Sequence, residues 1–288
     1  MYNDPILGRT QVKSTIAKHQ LIQNQNFIYN VTYYSDEFGR RITPTDRPEK
    51  IRNNFLVLFG CSFTYGHGLE ANETIPYYLG KELPDYYPLN YGIVGSAANL
   101  TVALLESRDL KKEISQKNGI AIYSYIDNHL ERIIGSNYWA YSQPSAPYYK
   151  LKDGKAQRNG TFESGRPLQT YIQKKLFESN YRKKFNIGYP FFLTKSDRET
   201  VCGVMEQMKI EFLKQYPDSK FYINFLPGSG RDFPYLSRCL KKRNVSFIDT
   251  RNALNGYNVP LSIPIDGHPN ANSNRIVTNA LIQLLKLK

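Results

Sequence analysis

Five consecutive apolar residues, Phe55-Leu56-Val57-Leu58-Phe59, followed at once by Gly60, constrain this chain more than any other stretch. A short run of β-branched and aromatic residues closed by glycine reads as a buried strand. Further runs of strand character lie at 88–93, 120–126, 220–226 and 245–249. Helical patterns separate or follow them at 74–83, 97–114, 196–216, 233–243 and 270–287. Strands alternating with helices of ten or so residues imply a parallel sheet covered on both faces. The expected fold class is therefore α/β, a three-layer α/β/α arrangement around a five-stranded parallel sheet.

The 288 residues suffice for one sizeable domain of this kind. That domain is expected over 51–288, preceded by a polar extension over 1–50 packed on it. Within the extension 27–34 partly alternates and 35–41 looks like a turn, so a small hairpin is expected there. The strand–helix alternation breaks over 127–195, after the third strand, where the text turns aromatic and polar. Asp153-Gly154 signals a hairpin turn, and a helix is expected near 168–178. This insertion, on the carboxyl edge of the sheet, is expected to wall or cover a site.

Several function classes lose support on composition. Lysine and arginine exceed aspartate and glutamate by 13, yet the surplus is scattered from Lys13 to Lys288. Its densest runs are Lys111-Lys112, Arg182-Lys183-Lys184 and Lys241-Lys242-Arg243, and no nucleic-acid motif accompanies them. The expectation is a basic surface with a general attraction to anionic polymers or membrane surfaces, not sequence-specific nucleic-acid binding. Cys61, Cys202 and Cys239 have no metal-ligand spacing and imply neither a zinc site nor a disulfide framework. No run has the length of a transmembrane helix, and Met1-Tyr2-Asn3-Asp4-Pro5 lacks the basic and apolar regions of a signal peptide. The compartment is left open, including export or envelope association.

The chemistry gathers at two places. Ser62 sits just past the first strand, at the sheet edge where open α/β folds place ligands. A serine hydroxyl needs a base, a group that orients the base, and donors for an oxyanion. His268 can take the proton and Asp266, two residues earlier, can hold the imidazole, ahead of a helix that Pro269 and Asn270 would start. No Gly-x-Ser-x-Gly elbow is present.

With Gly60-Cys61-Ser62-Phe63-Thr64-Tyr65-Gly66 near one end and Asp266-Gly267-His268-Pro269 near the other, the chain resembles the SGNH (GDSL-type) hydrolase family over about 55–288. The resemblance implies a flavodoxin-like sheet, with Ser62 as nucleophile, His268 as base and Asp266 as its orienting carboxylate. Asn90-Tyr91-Gly92-Ile93-Val94-Gly95 is similar to the second family block, which makes Gly95 an oxyanion donor beside the Ser62 amide. The third block falls on Ile126-Asp127-Asn128-His129, with Asn128 as the side-chain donor; it lacks the family's Gly and final Asp, and Asp127 or His129 are the alternatives. Cys61 stands where the family has Asp and is assigned a packing role, while His67 is assigned to structure or to the site rim. The implied reaction is ester hydrolysis through an acyl-enzyme, without metal or organic cofactor. Tyr138, Trp139, Tyr141, Tyr148 and Tyr149 suggest O-acetyl groups on a carbohydrate or related small ester as substrate. The alternatives are an acyltransferase or phospholipid esterase using the same triad, and a catalytically degenerate glycan-binding module.

Overall fold

A computed structural model of the chain describes residues 1–136, 138–180, 184 and 193–287. The amino-terminal strands are β1 (Thr15–Gln23) and β2 (Asn26–Ser35), which pair antiparallel. The first core strand, β3 (Asn54–Gly60), leads into the single-turn helix α1 (Ser62–Tyr65) and then α2 (Ile75–Glu82). Next come β4 (Tyr86–Gly92), α3 (Ala98–Ser107), β5 (Asn118–Tyr125) and α4 (Asn128–Ile134). The insertion follows: α5 (Tyr138–Ser142), the antiparallel pair β6 (Pro147–Lys152) and β7 (Lys155–Thr161), α6 (Phe162–Gly165) and α7 (Pro167–Glu178). The chain closes with α8 (Lys195–Gln215), β8 (Lys220–Phe225), α9 (Phe233–Lys242), β9 (Phe247–Asp249) and α10 (Ala271–Leu285).

The central sheet is parallel throughout, in the order β4-β3-β5-β8-β9. That is the flavodoxin-like order: the chain steps from β3 to one side, then crosses back to the other, opening a crevice at the carboxyl end of β3. The two faces of β3 explain its unbroken apolar run. Phe55, Val57 and Phe59 pack into one core with Val102, Val201, Met205 and Phe212, while Leu56 and Leu58 pack into the other with Ile75, Leu79, Val277 and Leu281. Both layers of helices are thereby fixed to one strand.

The structure departs from the sequence expectations in four places. The amino-terminal hairpin turns at Asn24–Gln25, whose φ angles of 49° and 65° suit a two-residue hairpin turn, so the partner of 27–34 precedes it in the chain. The expected 35–41 turn exists as well, built on the Asp36 carboxylate accepting from the Phe38 and Arg40 amides. The helix expected over 97–114 ends at Ser107: the Gln215 side chain donates to the Leu105 and Arg108 carbonyls and accepts from the Leu110 amide, and Asp109 starts a separate short turn. The last strand begins at Phe247, not at Val245. Finally, Cys202 and Cys239, 37 residues apart, form a disulfide between α8 and α9, with Cα atoms 6.4 Å apart. Their spacing carries no signal of this, because the pairing arises from how the two helices pack.

The Asp153-Gly154 turn joins β6 to β7 as expected, with both φ angles positive. Arg182 and Lys183 of one basic run, and the side chain of Tyr138, lie outside the described residues. Among the described residues no helix is long and apolar enough to cross a membrane.

Candidate active site

β3 delivers Ser62 to the sheet's carboxyl edge through a backbone that only glycine suits. Gly60 has φ of 149°, and a Cβ there would lie 2.2 Å from Thr64 Oγ1. This lets α1 begin at once, with Ser62 as its first residue and 5% exposed. Cys61 occupies the cap position just before it, makes no capping hydrogen bond and is buried among Leu56, Leu58, Ile122 and Leu226. Its environment is that of a packing residue.

His268 and Asp266 arrive from the far end of the chain on a tight loop. The Ile263 amide donates to the His268 carbonyl and the Gly267 amide to the Ile263 carbonyl, so the loop closes on itself. Ile265, with φ of 67° and its side chain exposed, takes a conformation unfavourable to a β-branched residue immediately before Asp266. Within this loop Asp266 accepts from the His268 backbone amide at 3.1 Å and makes a short hydrogen bond with His268 Nδ1. The other ring nitrogen, His268 Nε2, lies 2.8 Å from Ser62 Oγ. Carboxylate, imidazole and hydroxyl thus form one continuous chain across 206 residues of sequence.

Gly95 sits on the neighbouring edge, after β4. The Ser96 amide donates to the Ile93 carbonyl, and Gly95, with φ of 77°, makes the turn between them. The Gly60 carbonyl accepts from both the Ile93 amide and the Ser96 hydroxyl, tying this turn to the strand that carries the serine. The insertion braces it from outside: Gln143 Nε2 donates to the Gly95 carbonyl and Arg132 to the Ser96 carbonyl.

The third stretch, after β5, sorts itself by partner. His129 is fully buried, its Nδ1 2.7 Å from the Tyr123 hydroxyl, and burial holds its pKa well below the ordinary value. Asp127 accepts from the Arg231 amide at 2.9 Å; burial raises its pKa, and that hydrogen bond opposes the rise. Asn128, between them, is exposed at the start of α4. The strand order sets α1 between the ends of β4 and β5, and hence between Gly95 and Asn128.

Residues that sequence reasoning passed over complete the site. Arg41 is buried and donates to the carbonyls of Tyr65, Gly66 and Leu69, the segment leaving α1, while its guanidinium lies over the rings of Tyr33 and Tyr65. The Asn90 side chain adds donors to the Thr64 and Tyr65 carbonyls. Tyr33 accepts from the Gly68 amide at 2.7 Å, and Tyr29 lies 3.4 Å from His67 Nε2. Tyr29, Val31 and Tyr33 share a core with Tyr65, Leu69 and Ile263, so the hairpin joins the serine segment to the histidine segment. A buried cation whose partners are backbone carbonyls has no motif, and hence no signal in sequence.

His67 stands beside the triad, its ring 4.7 Å from that of His268 and its Nε2 3.7 Å from Asp266 Oδ2. Burial first, then the neighbouring His268, lower its pKa to about 4, so it is neutral at pH 7 and leaves Asp266 to His268. His67, Asp266 and His268 bring potential metal-ligand atoms within 4.8 Å of one another. Both nitrogens of His268 are engaged, by Asp266 and Ser62, so in this arrangement the group is a hydrogen-bond network.

No protein-family model matches the chain, and no curated protein matches it. Among solved structures it is similar to an acetyl xylan esterase from the rumen bacterium Butyrivibrio proteoclasticus, at 13% identity and a TM-score of 0.45 over 82% of this chain. The chain spans 64% of that esterase's length. It is also similar to a member of the lipolytic protein G-D-S-L family from Veillonella parvula (11% identity, TM-score 0.42, 81% of this chain and 98% of that one). A catalytic mutant of an acetylxylan esterase from Geobacillus stearothermophilus is a third (13%, 0.44, 82% and 96%). Likenesses this distant are general, and the three-layer α/β/α fold with its five-stranded parallel sheet rests on the strand order itself.

Proposed function

We propose that this protein hydrolyses carboxylic esters through an acyl-enzyme on Ser62. The observation that carries the reading is the hydrogen-bonded chain from Asp266 through His268 to Ser62 Oγ, at 2.8 Å on its last link. In the first step the Ser62 oxygen bonds to the ester carbonyl carbon while its proton passes to His268 Nε2. Asp266 holds the Nδ1 proton and stabilises the imidazolium. The tetrahedral oxyanion takes hydrogen bonds from the Ser62 and Gly95 amides and from Asn128. Collapse expels the alcohol, protonated by His268; water, deprotonated by the same imidazole, then cleaves the Ser62 ester to release the acid.

Two features support the oxyanion assignment. The Gly95 amide donates to no partner among the described residues. Asp127 and His129 are engaged elsewhere, which leaves Asn128 as the exposed member of its block. The described aromatic residues of the insertion have partners within the protein: Tyr141 stacks on Phe177, Tyr148 packs on Phe162, the Tyr149 hydroxyl donates to Glu106, and Arg132 lies over Trp139. These contacts account for the aromatics without a bound sugar.

The test is covalent labelling by a fluorophosphonate together with turnover of p-nitrophenyl acetate. Wild-type protein is expected to do both, and Ser62→Ala neither. Wild-type protein that neither labels nor turns over ester refutes the reading.

A further inference from the structure

Resting on the esterase reading, we infer that the acyl half of the substrate is a chain of roughly six to eight carbons, held in a cavity beside the triad. The cavity measures about 320 Å³. Its walls include Phe63, the residue after the nucleophile, and Gly267 and Pro269, which flank the base. The Phe63 ring stands edge-on to the His268 ring at 5.4 Å, so one aromatic side chain touches both the cavity and the catalytic imidazole. Four other cavities, lined by residues elsewhere in the molecule, share no wall with either triad segment.

The remaining surface gives the ligand's chemistry. Ile75, Leu226, Leu254, Leu261 and Val277 line the cavity, contributed by α2, the end of β8, the loop after β9 and α10. The amide of Asn274, also in the wall, is spent on the Glu73 carbonyl. No charged side chain lines it. Its polar groups are few, the Ser262 and Ser273 hydroxyls and the Asn274 side-chain oxygen, too few for the ring of hydroxyls on a sugar, and an anionic group would meet no cation. An alkyl chain exchanges water for apolar wall, which is the favourable transfer. At roughly 30 Å³ per water-sized group, the volume has room for a chain of six to eight carbons and far exceeds an acetyl methyl. The proposed pose sets the ester carbonyl at Ser62 and runs the chain past Phe63 into the cavity.

Each methylene buried in such a site raises affinity by about fourfold at most. The experiment measures kcat/KM for p-nitrophenyl acetate, butyrate, hexanoate and octanoate with the wild type and with Leu254→Trp, which fills the cavity from a half-buried loop position. The wild type is expected to favour hexanoate over acetate at least tenfold. Leu254→Trp is expected to lower the hexanoate-to-acetate ratio of kcat/KM at least tenfold, with a thermal melt reporting that the variant is folded. Acetate turned over as well as hexanoate by the wild type overturns the inference and leaves the esterase reading standing. So does a Leu254→Trp variant in which all chain lengths fall together or none falls. No turnover of any ester removes the catalytic reading, and the acyl cavity with it.

Discussion

His67 gives a prediction whose size follows from where it sits. Its side chain keeps 19% of its surface accessible, and burial, reinforced by His268, lowers its pKa from 6.5 to about 4. Above pH 6.5 the imidazole is neutral both folded and unfolded and contributes nothing to pH dependence. Between 6.5 and 4 the unfolded chain binds a proton that the folded chain refuses, so stability must fall as pH drops through that window and level off below it. A difference of some 2.5 pKa units corresponds to about 3 kcal/mol in full, and about 2 kcal/mol is lost by pH 5. For a chain of this size that is a fall of about 3 °C in Tm.

The comparison is wild type against His67→Gln, by thermal melts at pH 7.5, 6.0 and 5.0. His129, fully buried with its pKa pushed well down, pulls in the same direction in both proteins and cancels in the difference, as do the carboxylates. The variant's Tm should fall by about 3 °C less than the wild type's between pH 7.5 and 5. Two parallel curves would show that water reaches the imidazole in the folded protein, and the desolvation argument would be wrong.

Two further outcomes follow from the same region. Arg41→Met takes the guanidinium from the Tyr65 and Gly66 carbonyls, which keep the Asn90 side chain and the Leu69 amide, and from the Leu69 carbonyl, which should cost about 2–3 kcal/mol in denaturant melts; Arg41→Lys, a single ammonium in place of a planar fork, should recover less than half of it. Asn128→Ala should lower kcat by roughly 10²–10³ with KM little changed, as expected for a donor used only in the transition state, and an unchanged kcat would take Asn128 out of the oxyanion site.

The sheet was legible because its signals are local and repeated. An unbroken apolar run such as 55–59 has few homes other than a doubly covered strand, and helices of the right length between such runs leave parallel pairing as the economical answer. The serine, histidine and aspartate stand out in the sequence for a different reason: the proposed chemistry admits few residue types, and each sits beside a strand end or helix start that the pattern had already placed. What escaped depends on partners. Asn24-Gln25 makes a hairpin turn without the glycine that usually marks one. The helix after β4 stops at Ser107 because Gln215, more than a hundred residues away, takes its last carbonyls. Cys202 and Cys239 meet only once α8 and α9 have packed.

The same distinction explains why the supports of the site were harder to read than its reacting groups. A nucleophile or base is restricted by what its atoms must do, whereas a carbonyl can be held by any donor that reaches it. Arg41, Asn90 and Tyr33 hold the backbone around α1, and nothing in their identity announces the task. Yet the 2.8 Å between Ser62 and His268 joins segments from opposite ends of the chain, and the sheet fixes only the first of them. The histidine loop is pinned through Ile263, which packs with Tyr29, Val31 and Tyr33 of the hairpin and with Tyr65 and Leu69 beyond the serine. A displacement of about 1 Å at this junction is enough to lower turnover on the order of a hundredfold. If Ser62 and His268 react as proposed, the hairpin bears on turnover by distance alone, contributing none of the reacting atoms.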